Sequence, residues 1–192
     1  MASLVTGNYG KIVPLVIHID DELANTPLSN SFDQYFTCGG VPTFFVGDVE
    51  TSSFSQINTI CSQSPVAQSC FIITKNFGLI NVKTRTRFFK EVTGDYYLSV
   101  YVIESNINGG SGTYQQSGGG SDFKHDYVLR AANTPSSAFG ELISSGSAGK
   151  GKIADKEYDI PVGPITSADN LSVITVIWQK TGTTYKFVNA YK

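Results

Sequence analysis

The sequence predicts an α+β protein, with a partial α/β segment over residues 1–66 followed by an antiparallel β-sandwich over residues 67–192. Three observations point there. Near-continuous apolar runs at residues 11–20 and 41–48 flank a polar stretch and precede a helix-period segment, the pattern of strands buried on both faces beside helices. After Pro65 the period falls to two, as half-buried antiparallel strands require. Charged residues make up only 16% of the 192, against about 25% in typical soluble domains, and 19 glycines serve short connections.

The run at residues 11–20 reads as a first buried strand, with Pro14 marking its beginning or an edge. Residues 21–31 are polar and loop-like, and Asp33-Gln34-Tyr35-Phe36 fits one helical turn before Gly39-Gly40. A second strand enters through Pro42. Ser52 or Ser53 then caps a helix whose Phe54, Ile57, Ile60 and Cys61 share one face. Beyond it, residues 71–74 lead through Asn76-Phe77-Gly78 into residues 80–88. There Ile80, Val82, Thr84, Thr86 and Phe88 alternate with Lys83, Arg85 and Arg87. Gly94-Asp95 turns into a strand at 96–103, residues 171–178 and 185–190 supply two more, and Gly182 serves the hairpin between them. Residues 108–121 have little apolar surface and read as a mobile loop. Residues 144–152 read as a plain connection, because the order of a phosphate loop is absent.

Fourteen basic against 16 acidic side chains give a net charge of −2, which excludes a basic nucleic-acid footprint. No apolar run approaches the roughly 18 residues of a membrane-spanning helix. The first residues lack the basic and apolar regions of a secretory signal, so the chain as written carries no export signal. Cys38, Cys61 and Cys70 form no CxxC; Cys61 and Cys70 are either bridged across a Pro-containing turn or are small buried hydrophobes. His18 and His125 lie too far apart for a local metal motif, and Asp20-Asp21-Glu22 lacks the spacing of a calcium loop. Neither a metal nor a cofactor is expected. No Ser elbow frames the available Ser, His and Asp residues, so no catalytic residue is assigned.

A buried strand and helix followed by Gly40-Val41-Pro42-Thr43-Phe44-Phe45-Val46 resemble the latter part of a thioredoxin fold. The resemblance implies a cis Pro42 and an exposed backbone at Val41, Pro42 and Thr43 that pairs with an extended ligand. That family's first strand and CxxC helix have no counterpart here. Further on come Tyr97-Leu98-Ser99-Val100-Tyr101-Val102-Ile103-Glu104, Tyr114-Gln115, His125-Asp126-Tyr127-Val128-Leu129-Arg130-Ala131-Ala132, Phe139-Gly140-Glu141 and a late Asn189-Ala190. Their order resembles the Omp-twenty-eight-related outer membrane protein family of Gram-negative bacteria. The resemblance implies an envelope protein, often lipid-anchored, with a thioredoxin-like domain before a β-rich one. It also implies that a signal, an anchoring cysteine and a CxxC, where present, precede Met1. The family has His, a polar residue, His before Val-Leu-Arg; Tyr127 replaces the second His here.

The expectation is therefore a non-enzymatic binding or assembly protein, outer-membrane-associated or periplasmic, whose partner is a protein, peptide or glycan of the cell envelope. Its ligand-facing candidates are Val41, Pro42, Thr43, Tyr114, His125 and Arg130. Along an unbroken strand His125 and Arg130 face opposite ways, which favours Arg130 or His125 satisfying backbone carbonyls. The alternative is a thiol-disulfide oxidoreductase whose CxxC lies upstream, and a third reading is a structural module pairing through its β edges.

Overall fold

A computed structural model describes residues 12–36, 39–51, 53–76 and 78–192. Its centre is two packed antiparallel sheets. The smaller has the order β12-β4-β3, in which β3 (Ala67–Asn76) and β4 (Leu79–Phe88) form a hairpin through Gly78 at φ +69°. β12 (Ile153–Pro161) pairs along the other side of β4. The alternation along β4 comes out as expected. Ile80, Val82, Thr84, Thr86 and Phe88 are buried, while Lys83, Arg85 and Arg87 are exposed.

The larger sheet is built around β6 (Asp95–Glu104). β13 (Leu171–Thr181) pairs with it from Leu171↔Glu104 to Lys180↔Asp95, and β14 (Thr184–Tyr191) adds on beyond β13 through Gly182-Thr183. The opposite side of β6 is shared. β9 (Val128–Ala132) covers its later half and β10 (Glu141–Ser144) its earlier half. Short pairs complete the β structure. β5 (Val92–Thr93) pairs with β11 (Ser147–Ala148), and β7 (Ile107–Asn108) with β8 (Lys124–His125).

One face of β6, through Leu98, Val100 and Val102, packs on Ile80, Val82 and Phe88 of the smaller sheet. Its other face, with Tyr101 and Ile103 beside Ile174, Val176 and Trp178 of β13, is buried too. The cover on that side comes from the first part of the chain. α1 (Thr26–Asp33) sets Leu28 and Phe32 into this cluster, and Val13, Leu15 and Ile17 join it from an extended segment. Burial on both faces explains why residues 96–103 are apolar almost without a break.

The early elements differ from expectation in instructive ways. The strand read over residues 11–20 is an extended stretch joined to β9 by a single parallel bridge; Val16 N donates to the Tyr127 carbonyl at 2.8 Å and Leu129 N to that of Val16 at 2.9 Å. Lys11 and Cys38 lie outside the described residues. The helix begins inside the stretch read as a loop. Asn25 caps it by accepting from Leu28 N, with Pro27 in its first turn. The strand read over 41–48 shrinks to β1 (Phe45–Val46), turned back onto β2 (Val49–Glu50) at Gly47, whose φ is +67°. α2 (Phe54–Cys61) forms where its spacing predicts and is capped by Ser53. Cys61 and Cys70 are exposed and are not bridged to each other.

Candidate functional site

The stretch between β7 and β8 carries Tyr114, and it is more ordered than its composition predicts. Gln116 N donates to the Gly109 carbonyl at 2.8 Å, Gly109 N to that of Phe123 at 3.0 Å and Gly119 N to that of Gln116 at 2.9 Å. Backbone turns thus supply the order that apolar side chains do not. Only glycine fits at position 110, where a Cβ would lie 1.9 Å from the Ser121 carbonyl oxygen.

His125 is the hub of this region. Its ring is nearly buried, and Nε2 donates to the Tyr114 carbonyl at 2.8 Å. Phe123 meets it edge-on at 5.0 Å, and so does His18 at 5.1 Å. His18 in turn donates from Nδ1 to Asp21 Oδ2 at 2.6 Å, while Asp21 Oδ1 accepts from Leu23 N at 2.9 Å. The side chain of Tyr114 packs with Leu23, Ile107 and Val128. Tyr114 and His125 are therefore brought together, as part of a unit that fastens the N-terminal segment to β8. The contact with His18 could not be read from chain spacing. Among the described residues no three His, Cys, Asp or Glu side chains gather as a metal site would need.

Arg130 stands apart from that unit. Tyr127, at φ +61°, breaks the strand between β8 and β9, so face counting from His125 does not reach Arg130. The guanidinium lies in the interior with Nε 3.3 Å from Glu104 Oε2, and Glu104 is fully buried. It donates to the carbonyls of Leu23, at 3.3 Å, and Pro164. Glu104 Oε1 accepts from Thr166 N at 2.6 Å, Thr166 Oγ1 at 2.5 Å and Ser167 N at 3.1 Å. A planar fork suits such divergent carbonyls. Arg130 is a clamp tying the segment before α1, β6, β9 and the loop before β13 together.

Val41, Pro42 and Thr43 form a third, separate place. The Val41–Pro42 bond is cis, Val41 is 76% exposed, and Thr43 Oγ1 donates to the Gly40 carbonyl. An open cleft beside them is lined by Ile19, Asp20, Ser29, Asn30, Asp33, Gly40 and Val41. Ile19, itself 39% exposed, follows His18 directly, which links this cleft through the chain to the His125 unit. Asn30 and Asp33 were not legible as site residues, because their stretch was read as a loop and a single turn.

The sequence model of a family described as outer membrane protein Omp28 matches residues 71–190. No curated protein matches the chain. Among solved structures, HBP35 of Porphyromonas gingivalis is 14% identical with a TM-score of 0.72, over 91% of this chain and 60% of that one. That likeness is one of fold, and this chain spans only 60% of that protein. A domain of the outer membrane lipoprotein Omp28 from the same organism is also 14% identical, over 66% of this chain and 85% of that one, with a TM-score of 0.43.

Proposed function

Because the chain belongs to the Omp28 family of outer membrane proteins, it is an envelope-associated protein, and on that premise we propose that it binds, and does not chemically alter, an extended segment of another envelope protein. Residues 1–66 are then the end of a thioredoxin-like unit and residues 67–192 its β-rich companion. The observation that carries this reading is the cleft at Val41. Two exposed apolar side chains, Ile19 and Val41, border polar Asn30 and the acidic pair Asp20 and Asp33. Apolar rims with a few convergent polar groups are how peptide sites combine affinity with register. The carboxylates favour a strand bearing Lys or Arg between apolar residues. In this reading the Val41-Pro42-Thr43 backbone pairs with the ligand. Tyr114 and His125 hold the N-terminal segment that shapes the cleft, and Arg130 keeps the frame rigid.

Fluorescence anisotropy with a labelled Gly-Lys-Val-Lys-Val-Gly hexapeptide, and its counterpart with Glu in place of Lys, tests the proposal. Saturable binding of the lysine peptide, weaker binding of the glutamate one, and about a tenfold loss in Val41→Gly are expected, from the roughly 1.5 kcal/mol of burying one valine side chain. Equal affinity for both peptides, or no change in Val41→Gly, refutes it.

A further inference from the structure

A second groove lies at the β13–β14 hairpin, lined by Gln34, Tyr35, Lys180, Gly182, Thr183 and Thr184. None of these carries a carboxylate. Lys180 sits with its Nζ 5.5 Å from the centre of the Tyr185 ring. Its cross-strand neighbour Asp95 is engaged elsewhere, with Oδ1 accepting from Ser145 Oγ at 2.8 Å and Gly146 N at 3.3 Å. Among the described residues Lys180 has no ion-pair partner.

The aromatic side of the groove is held rigidly. Tyr185 stacks on Phe139 at 3.9 Å with the rings 5° from parallel, and Tyr35 meets Tyr185 edge-on at 5.2 Å and Phe139 at 4.8 Å. Tyr97 approaches Tyr185 at 5.4 Å. Tyr185 and, after it, Tyr97 shift the Lys180 pKa upward, and an ordinary lysine ammonium is already a cation throughout the neutral range. Each phenol hydroxyl can donate or accept, Gln34 offers an amide, and Thr183 offers a hydroxyl. A fixed aromatic wall, several neutral hydrogen-bonding groups and one cation free of carboxylates match one ligand class. Its apolar C–H face packs on Tyr35, its hydroxyls meet the amide and hydroxyls, and its negative charge meets Lys180.

We propose that this groove binds an anionic saccharide, carrying either a carboxylate or a phosphate. The site is distinct from the Val41 cleft and stands whether or not a peptide binds there. Trigalacturonate, neutral galactotriose, glucose 1-phosphate and a tetraglutamate peptide, each added to the intact chain, test it by saturation-transfer NMR. Transfer from trigalacturonate assigns a carboxylate sugar and transfer from glucose 1-phosphate a phosphate sugar; either supports the site if galactotriose binds more weakly. Lys180→Gln, at a partly exposed position, is expected to weaken binding about tenfold, and Gln34→Leu severalfold, with unchanged Trp178 fluorescence as the control for folding. No transfer from either anionic sugar at about 5 mM, equally tight binding of tetraglutamate, or unaltered affinity in Lys180→Gln overturns it.

Discussion

Arg130 shows how a residue conspicuous in the sequence acquires its meaning from a distant one. Its charge and its place before Ala131-Ala132 marked it, but Glu104, the buried carboxylate it faces, read as the end of an apolar strand. The carbonyls of Leu23 and Pro164 come from segments that only the fold assembles. Removing one partner of a buried pair strands the other charge. Arg130→Ala is therefore expected to cost about 3–5 kcal/mol in urea denaturation, whereas Arg130→Met with Glu104→Gln is expected to cost less, since no buried charge remains. Similar losses for both would show that the carbonyl contacts outweigh the ion pair. His125 was legible as a residue of interest for the same reason of type, but its neighbour His18 was not, because sequence distance says nothing about ring contact.

At the level of elements, legibility followed periodicity. β4 has a strict alternation and was read correctly down to which residues face inward. The run at residues 11–20 is apolar without alternation, and an extended stretch lying across a sheet looks the same in sequence as a strand within one. α1 is hidden in the sequence although Asn25-Thr26-Pro27 is a start signal, because two serines, Ser29 buried and Ser31 half-buried, stand on its covered side beside Leu28 and Phe32 and break the apolar stripe. The outer face of the smaller sheet carries its own prediction. The basic row of β4 read as solvated, and it stays exposed, but β12 supplies acidic partners. Arg85 grips Asp155 through Nε at 2.7 Å and a second nitrogen at 2.8 Å, and Lys83 lies 3.4 Å from Glu157. The hydrogen bond from Arg85 holds the Asp155 carboxyl below the usual carboxylate range. A depressed folded-state pKa stabilises above the unfolded value and ceases to as pH falls through the folded one. The difference in Tm between wild type and Arg85→Gln should therefore be greatest near neutrality and shrink below about pH 4, and it should be small because the pair is exposed. A pH-independent difference would mean the arginine acts by packing alone.

For the molecule as a whole, the sequence conveyed a β-rich second part and two sheets but not a third layer. The apolar continuity of residues 96–103 hinted at it, yet nothing in the chain says that α1 and residues 13–17 supply the cover. The layer makes a prediction about cooperativity. Leu28 is fully buried beneath the same cluster as Trp178, the single tryptophan. Leu28→Ala should lower stability by about 2–5 kcal/mol and shift the urea midpoint equally whether followed by Trp178 fluorescence or by far-UV circular dichroism. Midpoints that part company in the variant would mean that the first layer melts separately from the sandwich.

The pairing of β6 with β13 has a temporal side. Residues 95–104 find their main neighbour only at 171–181, so the middle of the larger sheet closes by a long-range encounter, a slow kind of step. A ribosome delivers the β3–β4 hairpin and β6 first, and β13 only after residues 105–170 have followed them. Until then β6, buried along most of its length in the finished fold, waits with one flank open. The interval before closure is when the chain is most exposed to aggregation, and a holding chaperone would find its binding segment in β6.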